Sequence, residues 1–356
     1  MADIFETVST MDAEGLVRVG RLHAVEAIVT MATDQPLNAI AHANKELGLP
    51  GISPETARIC TRKDLQRRAL SAKEIPSPLS IATQTEAEAL SAFEALHGPV
   101  VLKPVDSSGS RGVSLVSEPD RIRQAFHHAR SFSRIGKVVV EQFVQGPEFS
   151  VETLSHQGEL SVVQITAKKT SGPPHFVETG HTQPARLGNE VRYAIETLTR
   201  QAALALGILE GPTHTEIILT EGGPVIVEVG ARLGGDFITS DLVPLSTGVD
   251  LVGLVLESAL GCVCKMKPSW ERGAAISYFQ PGTGYLVGVQ NLREAAALPG
   301  VVRLELYATE GQMLRPLTGS HERAGFVITQ GDTAEEAEHA AENVLSTLHF
   351  EVIPHA

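Results

Sequence analysis

The stretch that most restricts the fold runs over residues 213–236, THTEIILTEGGPVIVEVGARLGGD. Two β-branched runs, 216–220 and 224–229, flank Glu221-Gly222-Gly223. That pattern predicts a β-hairpin with a three-residue loop, one glycine supplying the left-handed position. The register sets Thr220 opposite Pro224, Ile218 opposite Ile226 and Glu216 opposite Glu228. Alternation then puts Glu216, Ile218, Ile226 and Glu228 on one face and Ile217, Leu219, Val225, Val227 and Val229 on the other. Opposed residues have β-carbons about 4.5–5.5 Å apart, and like charges so placed repel. A divalent cation would offset this, because hard cations such as Mg²⁺ take carboxylate oxygens and share the ion with phosphates. The alternative is a solvated hairpin whose acids point into water. The second strand runs into Gly230-Ala231-Arg232-Leu233-Gly234-Gly235-Asp236. Arg232 offers a planar fork for carboxylate or phosphate, and the glycines let backbone N–H groups approach an anion.

The rest of the chain excludes several classes. Its 356 residues are enough for two or three domains. A net charge of −13 with 4% aromatic residues argues against a nucleic-acid partner. No apolar run has the length of a membrane span and no signal peptide opens the chain, so no membrane partner and a cytoplasmic location are expected. The three cysteines, Cys60, Cys262 and Cys264, are neither a disulfide framework nor a zinc site. Cys262-x-Cys264 reads as small apolar filler after a helix, with metal binding as the alternative.

The fold class reads as α+β, with an α/β unit at the N-terminus. There, residues 25–30 predict a strand and 35–47 a helix closed by Gly48-Leu49-Pro50-Gly51. No G-x-G-x-x-G and no initial strand–turn–helix occur, so this unit reads as shortened. Residues 54–71 predict one basic helix, 85–96 an alanine-rich helix, and 99–104 a strand carrying Lys103. Behind it, Ser107, Ser108, Gly109, Ser110, Arg111 and Gly112 form a loop able to present donors to phosphate oxygens. It is not a Walker loop, because no Gly-Lys-Ser/Thr closes it. A helix over 119–129 follows, then strands over 137–144 and 149–154 joined by the turn 145–148; Glu141 on the first strand and Glu148 in the turn read plainly as solvent-facing strand ends. After a strand over 160–168, the polar segment 169–184 reads as a functional or mobile connection. Helices are predicted over 190–206 and 249–260, strands over 274–279, 301–306 and 324–329, and a last helix over 333–348 capped by Asp332 or Thr333.

In order, these parts are a basic helix, a lysine strand with its Ser/Gly loop, an acid-bearing strand pair, and the acidic hairpin with its arginine turn. The series resembles the ATP-grasp superfamily. It looks most like the carboxylate–amine ligase branch that includes L-amino-acid ligases and carbamoyl-phosphate-synthetase-like proteins. The matching segments are 101–112, 140–152, 178–181 and 211–236, the run IVEVGARLGGD above all.

The resemblance implies an ATP-grasp fold: a shortened Rossmann-like domain (1–60), a two-part ATP-grasp domain (61–262, lid about 80–145) and a small C-terminal α+β domain (263–356). It implies ATP and Mg²⁺, with Mn²⁺ as alternative metal, small-molecule carboxylate and amine substrates, and a homodimer. It also implies roles. Lys63 and Lys103 contact phosphates under the loop from Ser107 to Gly112. Glu141, Gln142 and Val144 line adenine, Glu148 binds ribose, and Glu216 and Glu228 hold the metal. Arg232, Lys103 and His181 are the candidate catalytic groups, and Glu178, His181, Arg232 and Gly235 the candidate substrate contacts. Most of the thirteen histidines are expected to be surface or structural, which is the plain alternative for His181. The implied reaction is ADP-forming: ATP phosphorylates a carboxylate and an amine displaces phosphate. The competing readings are a bicarbonate-activating enzyme of biotin-carboxylase or carbamoyl-phosphate type, and a nucleotide-binding protein without catalysis.

Overall fold

A computed structural model describes residues 3–262 and 266–354. Cys264 and the first residues of the stretch expected as a C-terminal domain lie outside that range. Strands β1 (Ser80–Thr83), β2 (Val100–Pro104), β3 (Ser114–Val116) and β4 (Val138–Gln142) form an antiparallel sheet in the order β1-β4-β2-β3. Helices Glu86–Leu96 and Ile122–Ser131 cover one face, burying Val100, Leu102, Phe126 and Val140. Thr85 and Glu88 close a capping box at the first of these. Lys103 leaves this unit toward the cleft below.

The central sheet begins with β5 (Glu148–His156), β6 (Glu159–Thr170), β7 (Glu178–Gln183), β8 (Gly211–Thr220) and β9 (Gly223–Gly230). It continues through β10 (Gly273–Tyr278), while β11 (Gly284–Gln290) starts a separate small sheet. The remaining strands are β12 (Val301–Leu306), β13 (Met313–Leu314), β14 (Gly325–Gly331) and β15 (His349–Ile353). The central order is β12-β14-β10-β7-β6-β5-β8-β9, and the small sheet is β13-β11-β15. Every pairing is antiparallel. The polar segment 169–184 is strand at both ends, the close of β6 and all of β7, which pairs with both β6 and β10.

The acidic hairpin differs from expectation near its turn. Thr220 pairs with Gly223, so the loop is two residues, not three. The Thr220 hydroxyl accepts from Gly222 N–H at 3.1 Å and donates to Gly223 O at 2.8 Å, which tightens the turn. Ile218 thus opposes Val225, and Ile217 opposes Ile226. A β-bulge between Glu216 and Ile217 then takes up the extra residue, and Glu216 faces Glu228 as expected. The shifted register also exchanges side chains between faces, Val225 joining Ile218. Ile226 lies in the core with Ile217 and Val229, against helix Asn189–Ala205, and Val227 lines the cleft.

Other boundaries move for local reasons. Residues 54–71 are two helices, Pro54–Cys60 and Lys63–Ser71, broken where Arg62 takes an extended conformation. The break puts Lys63 at the head of the second helix, its N–H donating to Val105 O at 2.8 Å. Residues 25–30 are irregular rather than a strand; Ile28 O is met by the Asn44 side chain instead. A helix Ala13–Leu22 and the turns Ile238–Leu242 and Val243–Thr247 were not foreseen. Thr333, not Asp332, caps helix Ala334–Thr347.

Candidate active site

A cleft opens between the β1–β4 unit and the β5–β9 face of the central sheet. Lys63, Lys103, Ser107, Glu141, Glu216 and Glu228 all line it. Lys63 Nζ donates to Glu228 Oε1 and to Ser107 O, both at 2.8 Å. It therefore joins the acidic hairpin to the Ser/Gly loop. Ser108 and Gly109 also line the cleft, whereas Gly112 turns at φ +76° against Phe132 and Pro104 and supports the loop from behind. Gln142, Val144, Glu148 and Glu178 complete the wall.

Helix Lys63–Ser71 holds this arrangement through a polar stripe. Lys63, Gln66, Arg67 and Leu70 share one face at helical spacing, and all four are buried. Gln66 exchanges hydrogen bonds with both backbone groups of Val229, each at 2.9 Å. Arg67 donates to Val227 O at 2.5 Å and grips Glu141 at 2.7 and 3.3 Å. The free edge of β9 is thereby saturated on both sides of Glu228. Glu141 is not a solvent-facing strand end. Its side chain is 1% exposed and also meets Lys103 Nζ at 3.0 Å. Burial alone would raise its carboxyl, but Arg67 and Lys103 outweigh that and bring it down to about 2.

The repulsion between opposed glutamates is met by side chains of the chain itself. Lys63 serves Glu228, and the buried Lys168 serves Glu216 at 3.4 Å, Glu148 at 3.7 Å and Glu178 at 3.8 Å. Burial opposes charge on Lys168, yet the three carboxylates outweigh it and raise its pKa. Glu148 is pushed up by burial, with Lys168 opposing and Glu216 and Glu178 reinforcing. His214 Nδ1 donates to the fully buried Glu152 at 2.6 Å, and its Nε2 lies 3.7 Å from Glu216. Burial works against the imidazolium, but Glu152 and Glu216 raise His214 to about 9. Glu216 is accordingly held well below its ordinary value: burial opposes this, and Lys168 and His214 prevail.

The arginine turn is also occupied. Arg232 places its fork on Asp34, Nε and Nη2 each 3.1 Å from a carboxylate oxygen, so it does not present a free fork to the cleft. Gly235 sits in the turn beside Ala32 and lends its carbonyl to Ile238 N–H. His181 is 2% exposed, with Nε2 on Asp236 Oδ2 at 3.3 Å. Its Nδ1 is enclosed without a partner. The ring is packed beneath the cleft wall and does not line the cleft.

The sequence profile of the ATP-grasp domain matches residues 96–241, and that of the L-amino acid ligase C-terminal domain 2 matches 277–352. The crystal structure of the L-amino acid ligase from Bacillus licheniformis superposes with a TM-score of 0.83 at 30% identity, covering 96% of this chain and 84% of that one. This chain belongs to the L-amino acid ligase family of ATP-grasp enzymes. Protein y4rH of Sinorhizobium fredii is 30% identical over 98% of the chain and 73% of its own length. Dapdiamide A synthase of Enterobacter agglomerans is 34% identical over 66% of the chain. Alanine–anticapsin ligase of Bacillus subtilis is 25% identical over 68%. The chain spans 58% and 56% of the lengths of these two enzymes.

Sequence reasoning missed several residues whose side chains brace the cleft and the turn after Arg232: Asp34, Gln66, Arg67, Glu152, Lys168, His214, Asp236, Tyr278 and Arg323. Most sit in segments with no glycine punctuation or motif. Arg67 and Gln66 had a readable signal in the i, i+3, i+4 spacing from Lys63, and Asp236 in closing the run IVEVGARLGGD.

Proposed function

We propose that this ligase binds Mg²⁺–ATP in the cleft over Lys63, Lys103 and the acidic hairpin, phosphorylates a small carboxylic acid, and couples it to an amine. The observation that carries the reading is the alignment of Glu216 and Glu228 across β8 and β9 beside Lys63 and the Ser107 loop. Among the described residues no group of three or more His, Cys, Asp or Glu forms a metal site by itself. A pair of part-exposed carboxylates fits Mg²⁺, which keeps waters and takes the remaining oxygens from phosphates. When bound there, the ion would draw charge off the phosphate oxygens.

In this reading Lys63 and Lys103 neutralise phosphate oxygens, and backbone groups of Ser107, Ser108 and Gly109 cover them, held from behind by Gly112. Gln142 and Val144 line the base, Glu141 orders Lys103 beside it, and Glu148 faces the ribose. A carboxylate oxygen of the acid attacks the terminal phosphorus and the bond to ADP breaks. The amine nitrogen then attacks the acyl carbon, the carbon–oxygen bond to phosphate breaks, and the nitrogen loses a proton. Arg232, its fork held on Asp34, lends positive charge rather than a free fork to the transferring group; Glu178 and His181 shape the amine end. The division into residues 1–60, 61–262 with its lid near 80–145, and 263–356 belongs to this proposal, as do a cytosolic setting and a homodimer. Among the described residues no single helix is long and apolar enough to cross a membrane.

Phosphate release measured with ATP, Mg²⁺ and a panel of amino acids, singly and in pairs, tests the reading. Release that needs both an acid and an amine supports it. Release driven by bicarbonate alone points to the carboxylase-type chemistry, and none under any pair overturns it.

A further inference from the structure

The substrate end of the cleft is braced by a side chain from the C-terminal unit. Arg323 is 6% exposed. Its Nη1 and Nη2 donate to the two carboxylate oxygens of Asp236 at 3.0 and 2.9 Å. Its Nε donates to Glu178 O at 3.0 Å, and Nη2 also reaches Glu178 Oε2 at 3.3 Å. The guanidinium carbon lies 3.8 Å from the Tyr278 ring centroid, and the Tyr278 hydroxyl donates to Asp236 O at 3.3 Å. One fork therefore ties β7, the glycine turn after Arg232, and β10.

Three features set this bundle apart from a plain stability tie. Asp236 and Phe237 both take left-handed conformations, φ +52° and +61°, which cost energy for residues with side chains and persist only when neighbours impose them. Glu178 lines the cleft directly and shares Lys168 with the metal-side Glu216. Asp236 keeps 31% of its side chain exposed while Arg323 and His181 fill the space behind it. Buried Arg323 and Lys168 thus stand behind two carboxylates that keep part of their surface open.

We propose that Arg323 is a positioning residue for the second substrate. It never touches the nucleotide. It fixes Asp236 and Glu178 as oriented carboxylates that receive the ammonium of an amino acid at the end of the cleft beyond Lys168, where it gives up one proton to solvent before the freed amine attacks and loses its second. This rests on the ligase reading for its substrate but not for its geometry, so two measurements are paired.

The first is hydrogen–deuterium exchange of the substrate-free protein. Arg323→Lys keeps the charge and loses the fork, so exchange should rise over residues 178–182 and 234–241 and stay unchanged over 100–116. The second is steady-state kinetics. KM for the amino acid should rise about tenfold, the size of one lost charged hydrogen bond, with KM for ATP unchanged. Arg323→Met with Asp236→Asn removes the uncompensated acid. It should recover thermal stability toward wild type while KM stays raised, because Asp236 is itself a substrate contact; the split that bears on Arg323 is the raised amino-acid KM against the unchanged ATP KM in Arg323→Lys. Unchanged exchange overturns the proposal. So does raised exchange with an unchanged KM. If wild type turns over no amino acid, the ligase reading falls, and the exchange comparison still decides whether Arg323 positions the turn.

Discussion

Replacing Arg67 with Met should remove the larger of two cations that hold Glu141 ionised in the core. Glu141 falls from 4.5 to about 2 as the net of burial, Arg67 and Lys103, and at about 1.4 kcal/mol per unit the two cations together outweigh burial by about 3 kcal/mol. Its side chain is 1% exposed, so little of that is lost to solvent screening. Removing one partner of a buried pair typically costs about 3–5 kcal/mol, in the same range. The sign follows from the depressed carboxyl. Its stabilisation is fully present above the unfolded value of 4.5 and is lost as pH falls toward 2. Urea unfolding at pH 7 should show Arg67→Met weaker by about 3 kcal/mol, with the gap narrowing once the pH drops below 4.5. Adding Glu141→Gln should recover part of the loss, because the stranded charge is gone. The same variant loses the bond to Val227 O, so affinity for an ATP analogue should fall as the bulge under Glu228 loosens. A deficit below about 1 kcal/mol at pH 7, or one that does not change down to pH 3.5, would refute the reasoning.

Three further outcomes follow from the site. Glu216→Gln and Glu228→Gln should each abolish ADP formation while leaving the circular dichroism spectrum intact; turnover retained in either removes its metal role. Asp34→Asn should unclamp Arg232 and lower amide formation, and Arg232→Lys should lower it further because the fork is lost, measured as product per ADP. Wild-type protein should lose stability as pH rises from 6.5 through about 9, because His214 is raised and its contribution is complete only below 6.5. In His214→Gln that alkaline slope should flatten, as read from melting temperature against pH, and an unchanged slope would assign it to another group.

What could be read from sequence follows the reach of each signal. Glu216 and Glu228 were placed together by alternation, although the loop length was wrong. The bulge restored the pairing because Gln66 and Arg67 grip β9 at Val227 and Val229, a constraint from a helix some 160 positions earlier. Local patterning cannot report such a contact. Strand β7, ETGHTQ, carries no apolar alternation and is a strand only because β6 and β10 supply its partners. Lys168, one residue in an ordinary strand, became the hub of three carboxylates through tertiary pairing alone. Arg232 and His181 were singled out as candidate catalytic and substrate residues; in the structure the fork rests on Asp34 and the imidazole on Asp236. Their partners lie 198 and 55 residues away.

The most direct test of the central claim is a Mn²⁺ titration followed by electron paramagnetic resonance, with and without a non-hydrolysable ATP analogue. The expected result is tight Mn²⁺ binding by wild type only when nucleotide is present, weakened at least about tenfold in the Glu216→Gln/Glu228→Gln protein. Equal Mn²⁺ affinity in the two proteins would contradict it and leave the paired acids as ordinary partners of Lys63 and Lys168.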